Sequence, residues 1–320
     1  MRTVFAGIAA VMLAVVAASA VAQSYPSRLI RLIVPFPPGG AVDLLGRGVA
    51  QQLGEQTGQS VVVDNRGGAA GIIGSDALAK AAADGYTIGV IPDVLFSIYP
   101  HIYAKLPYSA GEFAPVTLAI TLDMALFAHP SVAASTLQEI IALAKTKPDL
   151  FSFGTPGTGS PMHLAGELIN KMAGIRMVHV PYRGSSPAMI DLIAGQTQLY
   201  IASLITSLPH VRSGKVRGLA VTGAARSTVV PEIPAIAETL RGYEVVNSYY
   251  LLAPAGTPGD VIAKLHAEAS KAVRQPDVVE RLAKDGADPV GNSPSEAAQY
   301  IAQEIVKWGK AVKESGAKPE

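Results

Sequence analysis

A glycine-rich segment from Phe153 to Leu164 combines residue types that suit the binding of an anion. It reads FGTPGTGSPMHL, with two glycines and several hydroxyl residues in its centre. Ser160 is a favourable helix N-cap and Pro161 suits the first helical position, so the segment predicts a strand end, a loop and an immediate helix. Open loop N–H groups and the partial positive charge of a helix start would both attract an anion. The alternative is a tight strand-to-helix turn that binds nothing.

The same segment lacks the residues that nucleotide chemistry or catalysis would add. A phosphate-binding P-loop has lysine after its last glycine, whereas Gly159 is followed by Ser160. Met162 stands where a G-x-G-x-x-G motif needs its third glycine. The chain has no G-x-S-x-G elbow, no cysteine, and no metal-ligand spacing among its 6 histidines. We therefore expect a binding site with no catalytic residue, no metal and no cofactor.

Other loops could complete such a site. The loop from Phe36 to Ala41 contains a doubled proline, and its stiffness would lower the cost of ordering on binding, or serve packing alone. The loop from Gly67 to Gly71 could contact a ligand or only permit close helix–sheet packing. Arg183 could pair with a carboxylate or brace its loop from outside. Asp93 would repel an anion unless it bonds to backbone N–H groups, and His163 is expected to pack rather than bind.

The start of the chain predicts export. Arg2 precedes an apolar run from Val4 to Val16, and two A-x-A cleavage candidates follow, so Met1–Ala22 is predicted to be a cleaved signal peptide. An uncleaved N-terminal anchor is the alternative. A cysteine-free chain has no disulfide and no lipoprotein anchor, and this favours the bacterial periplasm or the cell exterior. We expect no other membrane-spanning segment.

Composition narrows the class of protein. The chain has 320 residues with 26 basic and 25 acidic side chains, a balance that gives no electrostatic reason to bind nucleic acid. Hydrophobic residues make up 49% and charged residues 16%, which is typical of a well-packed globular protein. The roughly 300 residues after the predicted signal are expected to form two domains.

The chain repeats a pattern of strand, glycine or proline loop, and helix. Such alternation predicts α/β lobes, each with a mainly parallel sheet flanked by helices. Ligands of such sheets bind beyond the carboxyl ends of the strands, where these loops lie. Predicted strands occur at residues 30–34, 60–63, 86–91, 124–128, 150–153, 178–181, 199–202 and 216–221. A helical C-terminal region then suggests that the chain returns to the first lobe, which would leave a cleft between two sets of loops.

Seven motifs follow one another in a fixed order along the chain. They are Tyr25–Arg28, Pro35–Gly40, Val62–Gly71, Gly154–Ser160, His179–Gly184, Leu219–Thr222 and Ala253–Pro258. In these motifs the chain resembles the Bug-type solute-binding proteins that serve tripartite tricarboxylate transporters. The resemblance extends over essentially the whole mature chain, and the order and spacing of the motifs make it specific. The resemblance implies a two-lobed periplasmic binding protein of the Venus flytrap, type II-like kind. Its lobes would close on a small carboxylate, which a membrane permease would then receive.

The resemblance also implies where the ligand binds and where the domains divide. Residues 23–124 and 248–320 would form domain 1, and residues 125–247 would form domain 2. The ligand carboxylates would be held mainly by backbone groups, hydroxyls and ordered water. The expected ligand-binding residues are Phe36, Pro38, Gly39, Gly40, Ala41, Gly71, Asp93, Thr155, Gly157, Thr158, Gly159, Ser160, Arg183, Ala202 and Ser203.

Two departures from the family pattern bear on the ligand. Ala202 and Ser203 stand near a position where relatives often have an acidic residue, which disfavours an amino-acid ligand because its ammonium group would lack a partner. The second departure is Tyr249-Tyr250-Leu251, where relatives often have Trp-x-Gly, and the two tyrosines with Phe96 could supply an aromatic wall. We therefore expect a mono- or dicarboxylate without an amino group, aromatic acids included, and a monomeric receptor. A periplasmic sensor for a membrane signalling partner and an exported α/β enzyme acting on carboxylates are the alternative functions.

Overall fold

A computed structural model describes residues 25–38, 41–276, 278–280 and 286–315. The predicted signal peptide lies outside these residues. The fold has two lobes, each built on one mixed β-sheet with helices on its faces. Within the described residues, no helix combines the length and the apolar character needed to cross a membrane.

The first sheet has the strand order β11-β4-β10-β3-β1-β2. Strands β1, β2 and β3 run parallel, whereas β10 is antiparallel to both β3 and β4. Strand β1 is apolar except at Arg31 because the sheet buries it on both faces. The strands of this sheet are β1 (Ile30–Val34), β2 (Val61–Asn65), β3 (Thr87–Pro92), β4 (Phe113–Leu122), β10 (Asn247–Pro254) and β11 (Ala287–Pro289).

The second sheet has the order β7-β6-β8-β5-β9. Its strands β6, β7 and β8 are parallel, and β5 is antiparallel to β8 and β9. Its strands are β5 (Met124–Ala128), β6 (Ser152–Thr155), β7 (Val178–Pro181), β8 (Leu199–Ser203) and β9 (Arg217–Val221). In the first sheet, the antiparallel strand β10 arrives from the second lobe and lies between β3 and β4. In the second sheet, the antiparallel strand β5 arrives from the first lobe and lies between β8 and β9. The two lobes therefore share one topology, as the predicted two-lobed fold requires.

Helices connect and cover the strands. Helix α6 shows why its sequence folds locally: Ser160 caps it, Pro161 occupies its first turn, and Gly174 ends it with φ 62°. The helices are α1 (Ala41–Thr57), α2 (Ile72–Ala79), α3 (Val94–Ser97), α4 (Tyr99–Ile102), α5 (Leu137–Thr146), α6 (Pro161–Ala173), α7 (Ser185–Ile193), α8 (Leu204–Arg212), α9 (Gly259–Val273) and α10 (Pro294–Ser315).

Besides the crossing into β10, two features of the described chain join the lobes. Asp123 alone separates β4 of the first sheet from β5 of the second. Its N–H donates to the Gly286 carbonyl oxygen, and its carbonyl oxygen accepts the Leu204 N–H. The C-terminal helix α10 contacts both β4 and α6, and its Trp308 is fully buried in the core cluster of the second lobe. His101 of α4 lies with its Nε2 3.0 Å from the Ile305 carbonyl oxygen of α10. The C-terminal helix therefore fixes the short helices of the first lobe beside the second lobe.

Candidate functional site

The predicted loops follow the carboxyl ends of the parallel strands in both lobes. We call residues 35–41, after β1, the first loop, and residues 155–160, after β6, the second loop. The lobes touch beside the second loop, since a Cβ atom added to Gly159 would lie 2.8 Å from Ile102 Cδ1 of α4. This is the edge at which α/β sheets of this kind bind ligands.

The first loop is held by a network of charged and amide side chains. Asn65, the last residue of β2, donates from Nδ2 to the Phe36 carbonyl oxygen at 3.1 Å and to Asp43 Oδ1 at 2.9 Å. Arg47 donates to Asn65 Oδ1 at 3.2 Å and to Asp43 Oδ2 at 3.0 Å. Because Asp43 is only 2% exposed, these bonds satisfy a buried carboxylate and fix the loop backbone at Phe36.

The structure describes only part of the predicted first-loop contacts. Phe36 is partly buried and Pro38 is exposed, whereas Gly39 and Gly40 lie outside the described residues. Ala41 begins helix α1. Ligand contact by these residues stays a prediction.

Gly71 has a clear packing role beside the first loop. Its φ is 96°, and a Cβ atom there would meet Phe36 Cζ at 3.0 Å and Leu95 Cδ2 at 3.1 Å. Ala69 and Ala70 precede it with φ of 45° and 52°, values that are costly for residues other than glycine. Gly71 thus allows the close packing that the sequence offered as one of two alternatives, and its contact with a ligand stays a prediction.

The second loop is tied largely to itself. Ser160 Oγ donates to the Gly157 carbonyl oxygen at 2.7 Å and accepts the His163 N–H at 3.2 Å. The Ser160 N–H donates to the same Gly157 oxygen at 3.3 Å, and the Gly157 N–H approaches Thr155 Oγ1 at 3.4 Å. The expectation that the loop amides are open to a ligand is therefore wrong for most of them.

One loop amide differs from the rest. The Gly159 N–H donates to His163 Nδ1 at 3.1 Å. For the N–H of Thr158, by contrast, the described part of the chain provides no hydrogen-bond acceptor. The Thr158 amide and hydroxyl are thus the donors of this loop that remain available to a bound anion.

Two histidines, His163 and His179, make hydrogen bonds to the second loop. The rings of His163 and His179 stack with centroids 3.8 Å apart and planes 17° from parallel. His179 Nε2 lies 2.7 Å from Thr155 Oγ1. Burial lowers the pKa of His163 to about 4, and burial together with His163 lowers the pKa of His179 to about 3. His163 is packed, as the sequence indicated, while the role of His179 escaped sequence reasoning.

The remaining predicted polar residues occupy contrasting positions. Asp93 follows β3 but is 1% exposed, and its Oδ1 accepts the Val94 N–H at 2.8 Å, so it caps α3. Burial, with a further contribution from Glu304, raises the pKa of Asp93 to about 8. Arg183 is exposed at the end of β7, and its side chain has no hydrogen bond or ion pair to any described residue. It therefore does not brace its loop in this structure.

The end of β8 offers little side-chain chemistry. Ala202 is fully buried in the hydrophobic core of the second lobe, so neither its side chain nor its backbone is exposed in this structure. The Ser203 carbonyl oxygen accepts the hydroxyls of Thr206 and Ser207. Ligand contact by Ala202 and Ser203 also stays a prediction.

The expected aromatic wall does not form. Phe96 and Tyr250 are at most 1% exposed and make an edge contact with each other, at 5.3 Å between centroids, inside one core cluster of the first lobe. Tyr249 packs into a different core cluster because neighbouring residues of a strand face opposite sides of the sheet. These rings contribute to the stability of the lobe and give no support for an aromatic ligand.

Sequence reasoning missed the side chains that position the loops. Asn65 and His179 lie on strands next to the loops, and their only sequence signal was a polar residue within or at the end of an apolar strand. His179 is paired with Phe153 in the register of β7 and β6, which places it beside Thr155. Among the described residues, no group of three or more histidine, cysteine or acidic side chains is arranged to hold a metal ion.

Comparison with known proteins identifies the family. The model of the tripartite tricarboxylate transporter family receptor matches residues 45–317. Protein BugT of Bordetella pertussis is 38% identical over 95% of this chain and 94% of its own length. Rpa4515 of R. palustris, solved with adipate, is 34% identical with TM-score 0.78 over 92% of this chain and 100% of that one.

A further solved relative extends the same comparison. MatC from Rhodopseudomonas palustris, solved with bound malate, is 30% identical with TM-score 0.72 over 90% of this chain and 100% of its own. Rpa4515 and MatC share the fold of this chain, and the matching family model describes a receptor. The chain is therefore a solute-binding receptor that belongs to the Bug-type receptors of the tripartite tricarboxylate transporter family.

Proposed function

We propose that this protein is a periplasmic receptor that binds a small aliphatic carboxylate between its two lobes and delivers it to the permease of a tripartite tricarboxylate transporter. The lobes would correspond to residues 23–124 with 248–320 and to residues 125–247, and they would close on the ligand as a monomer. One observation carries the proposal. Each lobe carries a loop at the carboxyl ends of its parallel strands, the lobes touch at Gly159 and Ile102, and the second loop retains an unused donor pair at Thr158.

The available donors suit a carboxylate. The Thr158 N–H and hydroxyl would each donate to a carboxylate oxygen, and the unpaired guanidinium of Arg183 would contribute a cation at the same edge. Gly39, Gly40 and Ala41 would contribute backbone groups from the first lobe. Closure would exclude water and strengthen these hydrogen bonds by lowering the local dielectric constant.

The proposed ligand class follows from what the site lacks. Asp93 is buried as a helix cap, and Ala202 has no polar side chain, so neither would receive a ligand ammonium group. The aromatic rings considered for the ligand wall are buried in the first lobe. Structures of relatives contain adipate and malate. We therefore infer an aliphatic mono- or dicarboxylate without an amino group.

Calorimetry with a panel of carboxylates tests this function. The panel contains adipate, malate, aspartate and benzoate, and we expect adipate or malate to bind while aspartate and benzoate bind more weakly. Thr158→Val removes the hydroxyl and should weaken binding about tenfold, because a hydrogen bond to a charged group contributes about 1.5–3 kcal/mol. Thr158→Ser retains the hydroxyl and is the matched control. Tight binding of aspartate, or equal affinity of the valine and serine variants, would contradict the proposal.

Closure and delivery have separate tests. Small-angle scattering should show a smaller radius of gyration when the bound carboxylate is present. Copurification with the permease from membranes should increase with ligand, whereas copurification with a signalling protein instead would favour a sensor. Consumption of the carboxylate, followed by mass spectrometry, would contradict a receptor and indicate an enzyme.

A further inference from the structure

The contact between the second loop and the stacked imidazoles assigns a proton position. The Gly159 nitrogen lies 3.1 Å from His163 Nδ1. Because the Gly159 N–H can only donate, His163 Nδ1 must accept this hydrogen bond with a lone pair. The proton of the neutral ring is therefore on Nε2. A second proton would occupy Nδ1 and would abolish the bond that holds Gly159.

The stack adds a second requirement, which is that the two rings are not charged at the same time. With centroids 3.8 Å apart, two imidazolium rings would place like charges in direct contact within a buried region. His179 also stands 2.7 Å from the Thr155 hydroxyl, at the other end of the loop. Protonation of His163 therefore releases the loop at Gly159 and places a charge against the His179 ring.

We propose that His163 and His179 are a positioning pair, which holds the second loop in its carboxylate-binding geometry only while His163 is neutral. The proposal rests on the proposed function, since the loop is the carboxylate-binding element there. His163 fixes Gly159 and His179 fixes Thr155, on either side of Thr158. The pair would thereby set the direction of the Thr158 donors without touching the ligand.

Few charged groups face the pair in the described structure. Glu167, one turn along α6, has its Oε1 3.9 Å from His163 Nε2, and burial raises the pKa of Glu167. Tyr243 donates its hydroxyl to the Ala165 carbonyl oxygen of the same helix, and burial raises the pKa of Tyr243. Phe153 of β6 packs against the His179 ring with centroids 5.2 Å apart. Glu167 alone would favour a charged His163, and the burial that lowers the pKa of both rings opposes it.

The positioning role predicts an effect of pH opposite to that of a direct contact. A cationic histidine that touched the ligand would bind a carboxylate more tightly as the pH falls. The positioning pair requires the reverse, because a proton taken up at His163 Nδ1 releases Gly159. The ligand carboxylate is protonated in the same range, so wild type must be compared with a variant whose position 163 does not titrate.

Matched variants separate the effect of the hydrogen-bond acceptor at position 163 from the effect of the stacked ring. His163→Asn places an amide oxygen close to the position of Nδ1 and can accept the Gly159 N–H. His163→Phe keeps a planar ring for stacking but has no acceptor. His179→Gln and His179→Phe make the corresponding pair at Thr155, and His210→Asn in α8 is a control remote from both loops.

The first measurement needs no ligand. Amide hydrogen exchange followed by NMR should show the Gly159 amide protected in wild type and His163→Asn, and at least about tenfold less protected in His163→Phe. Imidazole 15N shifts should show a protonated Nε2 and an unprotonated Nδ1 at His163 from pH 7 to pH 5. Unchanged protection in His163→Phe, or a protonated Nδ1, would overturn the proposal.

The second measurement is the affinity for adipate and malate by calorimetry at pH 7 and at pH 4, which is close to the pKa of His163. We expect about tenfold weaker binding in His163→Phe, recovery to within about threefold of wild type in His163→Asn, and a steeper loss on acidification in wild type than in His163→Asn. An affinity that increases on acidification more steeply in wild type than in His163→Asn would overturn the proposal. If wild type binds none of the carboxylates, the proposed function fails, while the exchange and 15N data still decide whether the pair holds the loop.

Discussion

The two loops occupy equivalent places in lobes of equal topology, but they are supported by different chemistry. The first loop depends on Asn65, Asp43 and Arg47, which join a buried carboxylate to an amide and a guanidinium. The second loop depends on two stacked imidazoles that are neutral at pH 7. The shared topology therefore fixes where a ligand-binding loop stands, while the local side chains decide how the loop is held.

The same contrast extends to the response to pH. In the first lobe Asp93 has a raised pKa, so folding favours its protonated form. In the second lobe His163 and His179 have lowered pKa values, so folding favours their unprotonated forms. The first effect makes the protein less stable as the pH rises, and the second makes it less stable as the pH falls. The predictions below separate these contributions, beginning with the largest.

Asp93→Asn should stabilise the protein at neutral and alkaline pH. The ordinary pKa of 3.8 rises to about 8 in the folded protein, so the free energy of unfolding falls as the pH increases between those values. Asparagine does not titrate and can still accept the Val94 N–H as a helix cap. We expect the free energy of unfolding of Asp93→Asn to exceed that of wild type by on the order of 3 kcal/mol at pH 8 and to differ little near pH 4. Urea unfolding of the ligand-free protein between pH 4 and pH 8 measures it.

Asp93→Ala is the control for this variant, because it removes both the charge and the cap. Its gain in the free energy of unfolding at pH 8 should be about 1 kcal/mol smaller than that of Asp93→Asn. A difference between wild type and Asp93→Asn that does not change with pH would show that Asp93 titrates normally.

Asn65→Ala should destabilise the first loop. The substitution removes the donors to the Phe36 carbonyl oxygen and to Asp43, leaving a buried carboxylate less well satisfied. We expect a loss of about 2–3 kcal/mol in the free energy of unfolding by urea. Asn65→Asp keeps the size and the acceptor for Arg47 but lacks the donors, so it should lose a similar amount at pH 7. Wild-type stability in Asn65→Asp would mean that these donors do not hold the loop.

His163→Asn should reduce the acid sensitivity of the second lobe. The unfolded histidine takes up a proton below its ordinary pKa of 6.5, whereas folded His163 resists protonation until the pH approaches about 4. Its contribution to stability is thus complete above pH 6.5 and is lost as the pH falls toward 4. Between pH 7 and pH 4.5, wild type should lose about 2 kcal/mol more than His163→Asn. Parallel losses in unfolding experiments would contradict a buried neutral ring.

Much of the fold could be predicted because its signals are local. Apolar runs such as Ile30–Val34 and Val178–Pro181 form the expected strands, and Ser160, Pro161 and Gly174 mark the ends of α6 as expected. The alternation of strand, loop and helix indicated two α/β lobes, which the sheets and the related structures confirm. The division at 124 and 248, the signal peptide and the ligand-contact residues stay predictions.

The site itself was decided by contacts between segments that are distant in the chain. The sequence by itself determined that glycine-rich loops would follow parallel strands, because loop composition and helix caps act over a few residues. It could not determine that the Gly159 N–H is already bonded, that Tyr249 and Tyr250 face different core clusters, or that Asp93 is buried. Those outcomes depend on strand register and on helix packing, which bring His179 beside Thr155 and α10 against both lobes. Hydrogen bonds and pKa shifts arise from that three-dimensional proximity, and only the tertiary structure specifies it.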